Sequence, residues 1–454
     1  MIHLGDYFSP LNLNNLLILF SFVFCCEVVG YKLVRLCSVV IPKFLRGATW
    51  LLGLGSIIFL YFLSHFFLPY NNYLLIFFSI FLFFLSLPLY IKEKALVSLL
   101  GFLKENKIPL VIMLIILPKI IVKSSLPPYL WDEMAYHYVS PYILNFEKNW
   151  QILNSFYQNL PRLLETLYIA LFSLSKTYAI SRLIHFMIFL TSIMTLHTYI
   201  KQRFDSFSAA LFFSAALFYG ENFLLWSTLG YVDVGTTSFV MIALFCFIES
   251  YLVNKKELLL FSLVFIGMAV GSKYSALTQL FSLTILTPVV LFFKQKLYYL
   301  KSKMFVIGFV MSVVLGGYWY FKNMLFTGNP IYPFMFGCKF ESCETVSLAY
   351  THAFNLSNFN LIYRSIFLKN TLLEILFPIS IFLTFLFGDL KIKKILLLLF
   401  VFIIIEILCV SPISGYESRY FYHWQLISLF ILVMPVTLLV KSYLSFRSKQ
   451  SQHD

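Results

Sequence analysis

The chain has 454 residues, 60% of them hydrophobic and 12% charged, with a mean hydropathy of +0.85. Globular domains carry roughly a quarter of their residues charged, so these values exclude a soluble protein. A net charge of +14 would raise nucleic acid as a partner for a soluble domain, but in so apolar a chain the placement of the charge matters more than its total.

Apolar runs near the roughly 17–25 residues a spanning helix needs are expected at 12–31, 48–68, 73–91, 108–122, 180–200, 206–226, 232–253, 257–270, 275–293, 304–321, 372–388, 395–411 and 420–440. None has the alternating pattern of a barrel strand. The expected fold class is therefore all-α and polytopic, with about 13 transmembrane helices. The run from Pro161 to Lys176 is too short to span comfortably, and it reads as an interfacial helix opened by Pro161 at its first turn.

Between these runs lie basic clusters: Lys32 to Arg46, Lys92 to Lys107, Lys201 with Arg203, Lys255 with Lys256, Lys294 to Lys303, Lys391 to Lys394 and Lys441 to Lys449. All fall on one side if each run crosses once. The positive-inside rule makes that side the cytoplasm, which puts the N-terminus out, the C-terminus in, and outer loops at 123–179 and 322–371. The N-terminus has no basic stretch before its apolar run and does not read as a cleaved signal peptide. Cys25, Cys26, Cys37, Cys246 and Cys409 read as packing residues, whereas Cys338 and Cys343 lie outside the membrane, where either a disulfide or two thiols is open.

The chemistry-bearing residues concentrate on the outer side. Asp132 and Glu133 follow the fourth spanning run, and a helix starting there puts Glu133 and His137 on one face at i and i+4. Asp132 is either a helix cap or a base, and His137 is more often a structural hydrogen-bonder than a base. Glu165 is one turn after Arg162 and can pair with it. Asp233 precedes an apolar run with no local basic partner, so it is either an N-cap or a group that meets a cation or a substrate hydroxyl. Lys273 and Lys322 either snorkel to headgroups or bind an anion. Gly328-Asn329-Pro330 suits a tight turn, in a segment that can also present donors to a sugar. Arg419 lies two residues after Glu417, as an ion pair or as a phosphate ligand. Glu27 and Glu406, inside spanning runs, are expected to bond neighbouring helices.

Trp131-Asp-Glu-Met-Ala-Tyr-His137 resembles the acidic motif in the first outer loop of C-type glycosyltransferases, the superfold of protein O-mannosyltransferases and lipid A aminoarabinose transferases. Asn159 to Tyr168 is similar to the second juxtamembrane helix of that group, and Gly230-Tyr-Val-Asp233 to its later acidic turn. Gly271-Ser-Lys-Tyr274 and Tyr320 to Pro333 resemble motifs of uncharacterised bacterial members. The likeness covers about 109–440; it implies a catalytic membrane core at 109–454 and makes 1–108 an accessory three-helix addition.

What the resemblance implies is a transfer of sugar from a polyprenyl-phosphate donor to an acceptor hydroxyl at the extracytoplasmic face of the cytoplasmic membrane, with inversion. In that reading Asp132 is the general base with Glu133 beside it, while Lys273, Lys322 and Arg419 hold the donor phosphate. His137, Glu165, Asp233, Tyr274, Asn329 and Tyr332 then bind substrate. The partners are the lipid-linked donor, a glycan, lipid or protein acceptor and the membrane itself, with no nucleic acid. No cofactor is required, and a divalent metal stays open because no ligand spacing is diagnostic. The main rival is a transporter or flippase for a lipid-linked sugar, which would concentrate its polar groups near the membrane midplane on broken, duplicated helices.

Overall fold

The computed structural model describes residues 11–37, 40–67, 73–138, 159–218, 222–293, 297–332, 363–364, 366–367, 370–410 and 422–450. These residues are all-helical, with no strand among them. In chain order the helices are α1 (Leu13–Leu36), α2 (Thr49–Phe67), α3 (Tyr73–Lys92), α4 (Ala95–Glu105), α5 (Lys107–Ser125), α6 (Leu163–Ser175), α7 (Ala179–Arg203) and α8 (Ser206–Phe218). They continue as α9 (Asn222–Ser227), α10 (Asp233–Val253), α11 (Glu257–Ser272), α12 (Ala276–Phe293), α13 (Lys303–Thr327), α14 (Thr371–Phe387), α15 (Leu390–Val410) and α16 (Tyr422–Gln450). Each expected spanning run overlaps a helix, the 206–226 run overlapping two short ones, and among the described residues eight helical stretches, against about 13 expected, are long and apolar enough to cross a membrane by length and composition. The protein is thus a helical, polytopic, membrane-embedded chain.

Local sequence sets the helix ends. The side chains of Asn12, Ser302 and Asn370 accept the amide hydrogens of Asn15, Phe305 and Leu373, satisfying donors that the first helical turn leaves open. Gly328 ends α13 at φ 72°, a left-handed conformation that glycine adopts without strain.

Helices α7 and α10 are almost wholly covered by protein, whereas α3, α5 and α13 keep broad Phe, Leu, Ile and Val faces outward, as lipid-facing helices do. Helices α11 and α13 run side by side along a seam of small residues. A Cβ on Gly271 would lie 2.4 Å from the Leu315 carbonyl oxygen, and one on Gly316 would lie 2.8 Å from that of Gly267. Association in lipid relies on such close backbone approach rather than on the hydrophobic effect. The seam brings Lys273, just past the end of α11, to the same end of the bundle as Lys322 on α13.

The two ends of the bundle differ in chemistry. At one end Lys201 donates to the Glu105 carbonyl, Arg203 pairs with Glu249, and Lys43 lies 3.8 Å from Glu105. Arg182, at the other end of α7, is separated from Arg203 by about 32 Å of helix, close to the thickness of a bilayer's hydrocarbon core. The acidic turn, Asp233, Lys273 and Lys322 all gather at the Arg182 end.

Helix α6 differs from the expected interfacial helix. Its residues are buried on every face, against α2, α7 and α11. The reason is packing: Leu163, Leu164, Leu167, Ile169, Ala170 and Leu171 are buried around the axis, and the one carboxylate among them, Glu165, finds its partner inside the protein in His137. Helices α1, α2 and α3 pack mainly on one another, yet the indole of Trp50 donates to Thr191 on α7 (2.9 Å) and the apolar core continues between them.

Candidate functional site

The motif after α5 forms a π turn, Glu133–His137, closed by the Tyr138 amide on the Glu133 carbonyl (3.2 Å). The wide turn aims Glu133 and His137 inward, while Trp131 and Met134 stay 60% and 48% exposed. The shared face expected from the sequence is therefore present. Asp132 occupies the cap position without a capping hydrogen bond and is half-buried at the exposed rim.

Glu133 is fully buried and held from two sides. Arg182 grips it with Nη2 at 2.8 and 2.9 Å and Nε at 3.1 Å, and the Gly230 amide donates to Oε1 at 2.5 Å. Arg182 also donates to the carbonyls of Ser124 and Leu126. A carboxylate so fully engaged has the geometry of a strut, unlike the catalytic partner of Asp132 that the resemblance implies. It staples the first acidic loop to the turn that carries Asp233. A Cβ on Gly230 would lie 2.3 Å from the Tyr138 hydroxyl, which explains glycine there.

One turn along α7, His185 holds the other end of that turn. Its Nδ1 lies 3.1 Å from the Leu229 carbonyl, and its Nε2 accepts the Gly235 amide at 2.7 Å. The ring is therefore the neutral tautomer with hydrogen on Nδ1. Arg182 and His185 were not singled out in the sequence. Two ionisable residues three positions apart at the start of an otherwise apolar span were the available signal, since such groups are expensive at membrane depth.

The remaining residues assemble around this frame. Asp233 opens α10 and meets the Lys273 ammonium at 2.5 Å, so both acquire a partner that the sequence did not assign, and neither the N-cap nor the snorkelling alternative describes them. Glu165 lies 2.5 Å from His137 Nδ1, although its sequence neighbour Arg162 was its expected partner. The Arg162 guanidinium instead reaches the Tyr136 carbonyl at 3.4 Å. Complete burial pushes the Arg162 pKa down, and Glu165 partly offsets this.

Lys322 is 3% exposed, and its ammonium has no hydrogen-bond partner among the described residues. It lies 5.7 Å from the Trp319 ring centroid and feels the charge of Arg162. Next to it, Asn323 donates to the Asn159 carbonyl (3.1 Å) and to the Tyr274 hydroxyl (2.6 Å). The Tyr274 hydroxyl donates in turn to the Tyr332 carbonyl (3.0 Å). Asn329 uses its side-chain oxygen on the Ile331 amide (3.0 Å), the tight turn expected there. Tyr274, Asn329 and Tyr332 thus brace the floor of the site. Arg419, Cys338 and Cys343 lie outside the described residues. Among the described residues no group of three His, Cys, Asp or Glu side chains could hold a metal.

Away from this end, Glu406 accepts from Gln279 and from Trp424 Nε1, with His423 at 2.7 Å, and so ties α12, α15 and α16 together as expected. In comparisons with protein-family models, curated proteins and solved structures, nothing matches this chain.

Proposed function

We propose that the protein is a membrane glycosyltransferase that moves a sugar from a polyprenyl-phosphate donor to an acceptor hydroxyl, with inversion, at the extracytoplasmic face of the cytoplasmic membrane. One observation carries this reading: Lys322 is buried beside Arg162, and its ammonium has no hydrogen-bonding partner among the described residues. A buried ion costs several kcal/mol unless compensated, so the Lys322 ammonium at the end of a membrane bundle calls for an anionic ligand. A lipid-linked phosphate supplies that charge at that depth. Its leaving oxygen gains negative charge as the bond to the sugar breaks, so fixed cations stabilise the transition state more than the ground state.

The surroundings suit such a donor. Leu126, Tyr129, Trp131 and Met134 form an exposed apolar rim beside the acidic turn, along which a polyprenyl tail can lie. The Asp233–Lys273 pair stands ready for sugar hydroxyls. Asp132, at the rim, is the general base that the resemblance implies. The ionisable groups of the site gather at one end of the bundle, which favours a surface enzyme over a carrier with a path through its middle. Thirteen crossings, with the N-terminus outside and this end away from the basic clusters, complete the proposed topology.

The test is to incubate the purified protein with a panel of polyprenyl-phosphate sugars and candidate acceptors, beside Lys322→Met. Release of polyprenyl phosphate by the parent chain and its loss in the variant are expected. Movement of intact donor across a vesicle without cleavage would instead identify a flippase.

A further inference from the structure

We infer that His137, positioned by Glu165, is the group that takes the proton from the acceptor hydroxyl. The inference rests on the reading above and gives His137 the role that the sequence assigned to Asp132.

Two buried histidines at the same end of the bundle supply the argument. His185 is a structural histidine: both ring nitrogens are used, one on the Leu229 carbonyl and one on the Gly235 amide. His137 is 1% exposed, yet only one of its nitrogens is used. Its Nδ1 lies 2.5 Å from Glu165 Oε1, while its Nε2 has no hydrogen-bond partner among the described residues. A buried polar atom left unsatisfied costs about 1–3 kcal/mol, and this one stands on a ring whose other nitrogen is already held by a carboxylate, so a hydroxyl brought to Nε2 would complete it.

The orientation of the ring is over-determined. Its centroid lies 4.2 Å from that of Tyr136 and 5.0 Å from that of Tyr231, which hold the imidazole plane from two elements. A neutral ring that donates its Nδ1 hydrogen to Glu165 carries its lone pair on Nε2, the tautomer a base requires. The Glu165 side chain is 4% exposed and lies at hydrogen-bond distance from Nδ1, so it fixes the ring and faces the imidazolium that forms.

In the step, the acceptor oxygen bonds to the anomeric carbon as the bond from that carbon to the phosphate oxygen breaks. The electron pair of that bond leaves on the phosphate, where Lys322 and Arg162 meet its charge. The hydroxyl proton passes to His137 Nε2, and water receives it when product departs. His137 is thus a catalytic residue, and Glu165 a positioning residue that acts through it.

The experiment uses the full chain with whichever donor of the panel it turns over. His137→Gln should lower kcat by about 10²–10³-fold, the range of general-base catalysis, with the donor KM within about twofold of the parent. Added imidazole should restore part of the activity of His137→Ala, and Glu165→Asp should recover part of what Glu165→Gln loses. A purely structural histidine would give neither rescue. Gel filtration checks folding, and if His137→Ala does not fold, the kcat and KM of His137→Gln and Glu165→Gln decide. Undiminished kcat in His137→Gln, with loss in Asp132→Asn, would return the base to Asp132. A parent chain inactive with every donor would remove the glycosyltransferase reading and this assignment with it.

Discussion

Two regions of the molecule bury positive charge, and they treat it in opposite ways. In the N-terminal helices Arg46 is 4% exposed and fully partnered: it meets Glu27 at 2.5 Å, Thr49 at 2.8 Å, the Ala95 carbonyl at 2.9 Å and Ser98 at 3.3 Å. At the candidate site Lys322 is just as buried, but its hydrogen-bonding capacity is unused among the described residues. The first arrangement is a finished structural joint between the turn before α2, helix α1 and the start of α4. The second is an incomplete one, and an anion of the right shape would finish it. Burial of charge is thus no guide to function by itself; what matters is whether the surrounding chain already compensates it.

The sharpest way to break this comparison is to remove each charge while keeping its bulk. Arg46→Met leaves Glu27 buried without its cation and should destabilise the protein by about 3–5 kcal/mol, read from unfolding in mixed micelles, with transfer per folded molecule unchanged. Adding Glu27→Gln should recover much of that loss. Lys322→Met removes a charge that has no local anion, so the unfolding midpoint should hold or rise. Transfer should meanwhile fall by about 10²–10³-fold, the effect of losing a fixed group that stabilises transition-state charge. If Lys322→Met proved as destabilising as Arg46→Met, the contrast between the two regions would be lost.

Glu133→Ala should cost about 3–5 kcal/mol of stability as well, because it strands Arg182. It should reduce transfer only through the fraction folded and through disorder of the turn bearing Asp233. A Glu133→Met, Arg182→Met double variant that regains stability without regaining transfer would show the strut acting as a positioner. Smaller effects should come from the seam between α11 and α13. Gly271→Ala puts a methyl group 2.4 Å from the Leu315 carbonyl oxygen, and overpacking of this kind costs about 1–3 kcal/mol, measurable in the same unfolding experiment. The smallest change should be Tyr274→Phe. It removes one donor and leaves the Tyr332 carbonyl and Asn323 amide to find other partners, for about 1 kcal/mol and a modest rise in donor KM.

Much of the helix arrangement was legible because lipid leaves the backbone few choices. An apolar run of sufficient length must form a helix that satisfies its own hydrogen bonds, so every expected span overlaps an observed helix, although 206–226 falls on two short helices and the last helix runs ten residues past its expected end. The exception is instructive. The Pro161 to Lys176 run is short, and length alone suggested the membrane surface, whereas its apolar residues pack on several faces and Glu165 is satisfied by His137, a partner the sequence did not assign, inside the protein. At the site, Asp233 and Lys273 were each recognised as unusual, but not as each other's partner, because 40 residues separate them and only the α10–α11 packing joins them. Arg182 and His185 were passed over because their partners, Glu133 and the Leu229–Gly235 turn, lie 44 to 50 residues away.

Composition and hydropathy by themselves determined that this chain lives in a membrane as a helical bundle, and they marked the loops opposite its basic clusters as the place for its candidate site residues. That information is local, carried by runs of side chains whose transfer from water to lipid is decided residue by residue. Only the tertiary structure decided which of those residues are struts and which are left open. That depends on hydrogen bonds with strict distance and angle limits between segments far apart in the chain, such as the 97 residues between Glu133 and Gly230. The same folding that fully engages the Glu133 carboxylate and both nitrogens of His185 leaves His137 Nε2 and the Lys322 ammonium without hydrogen bonds among the described residues.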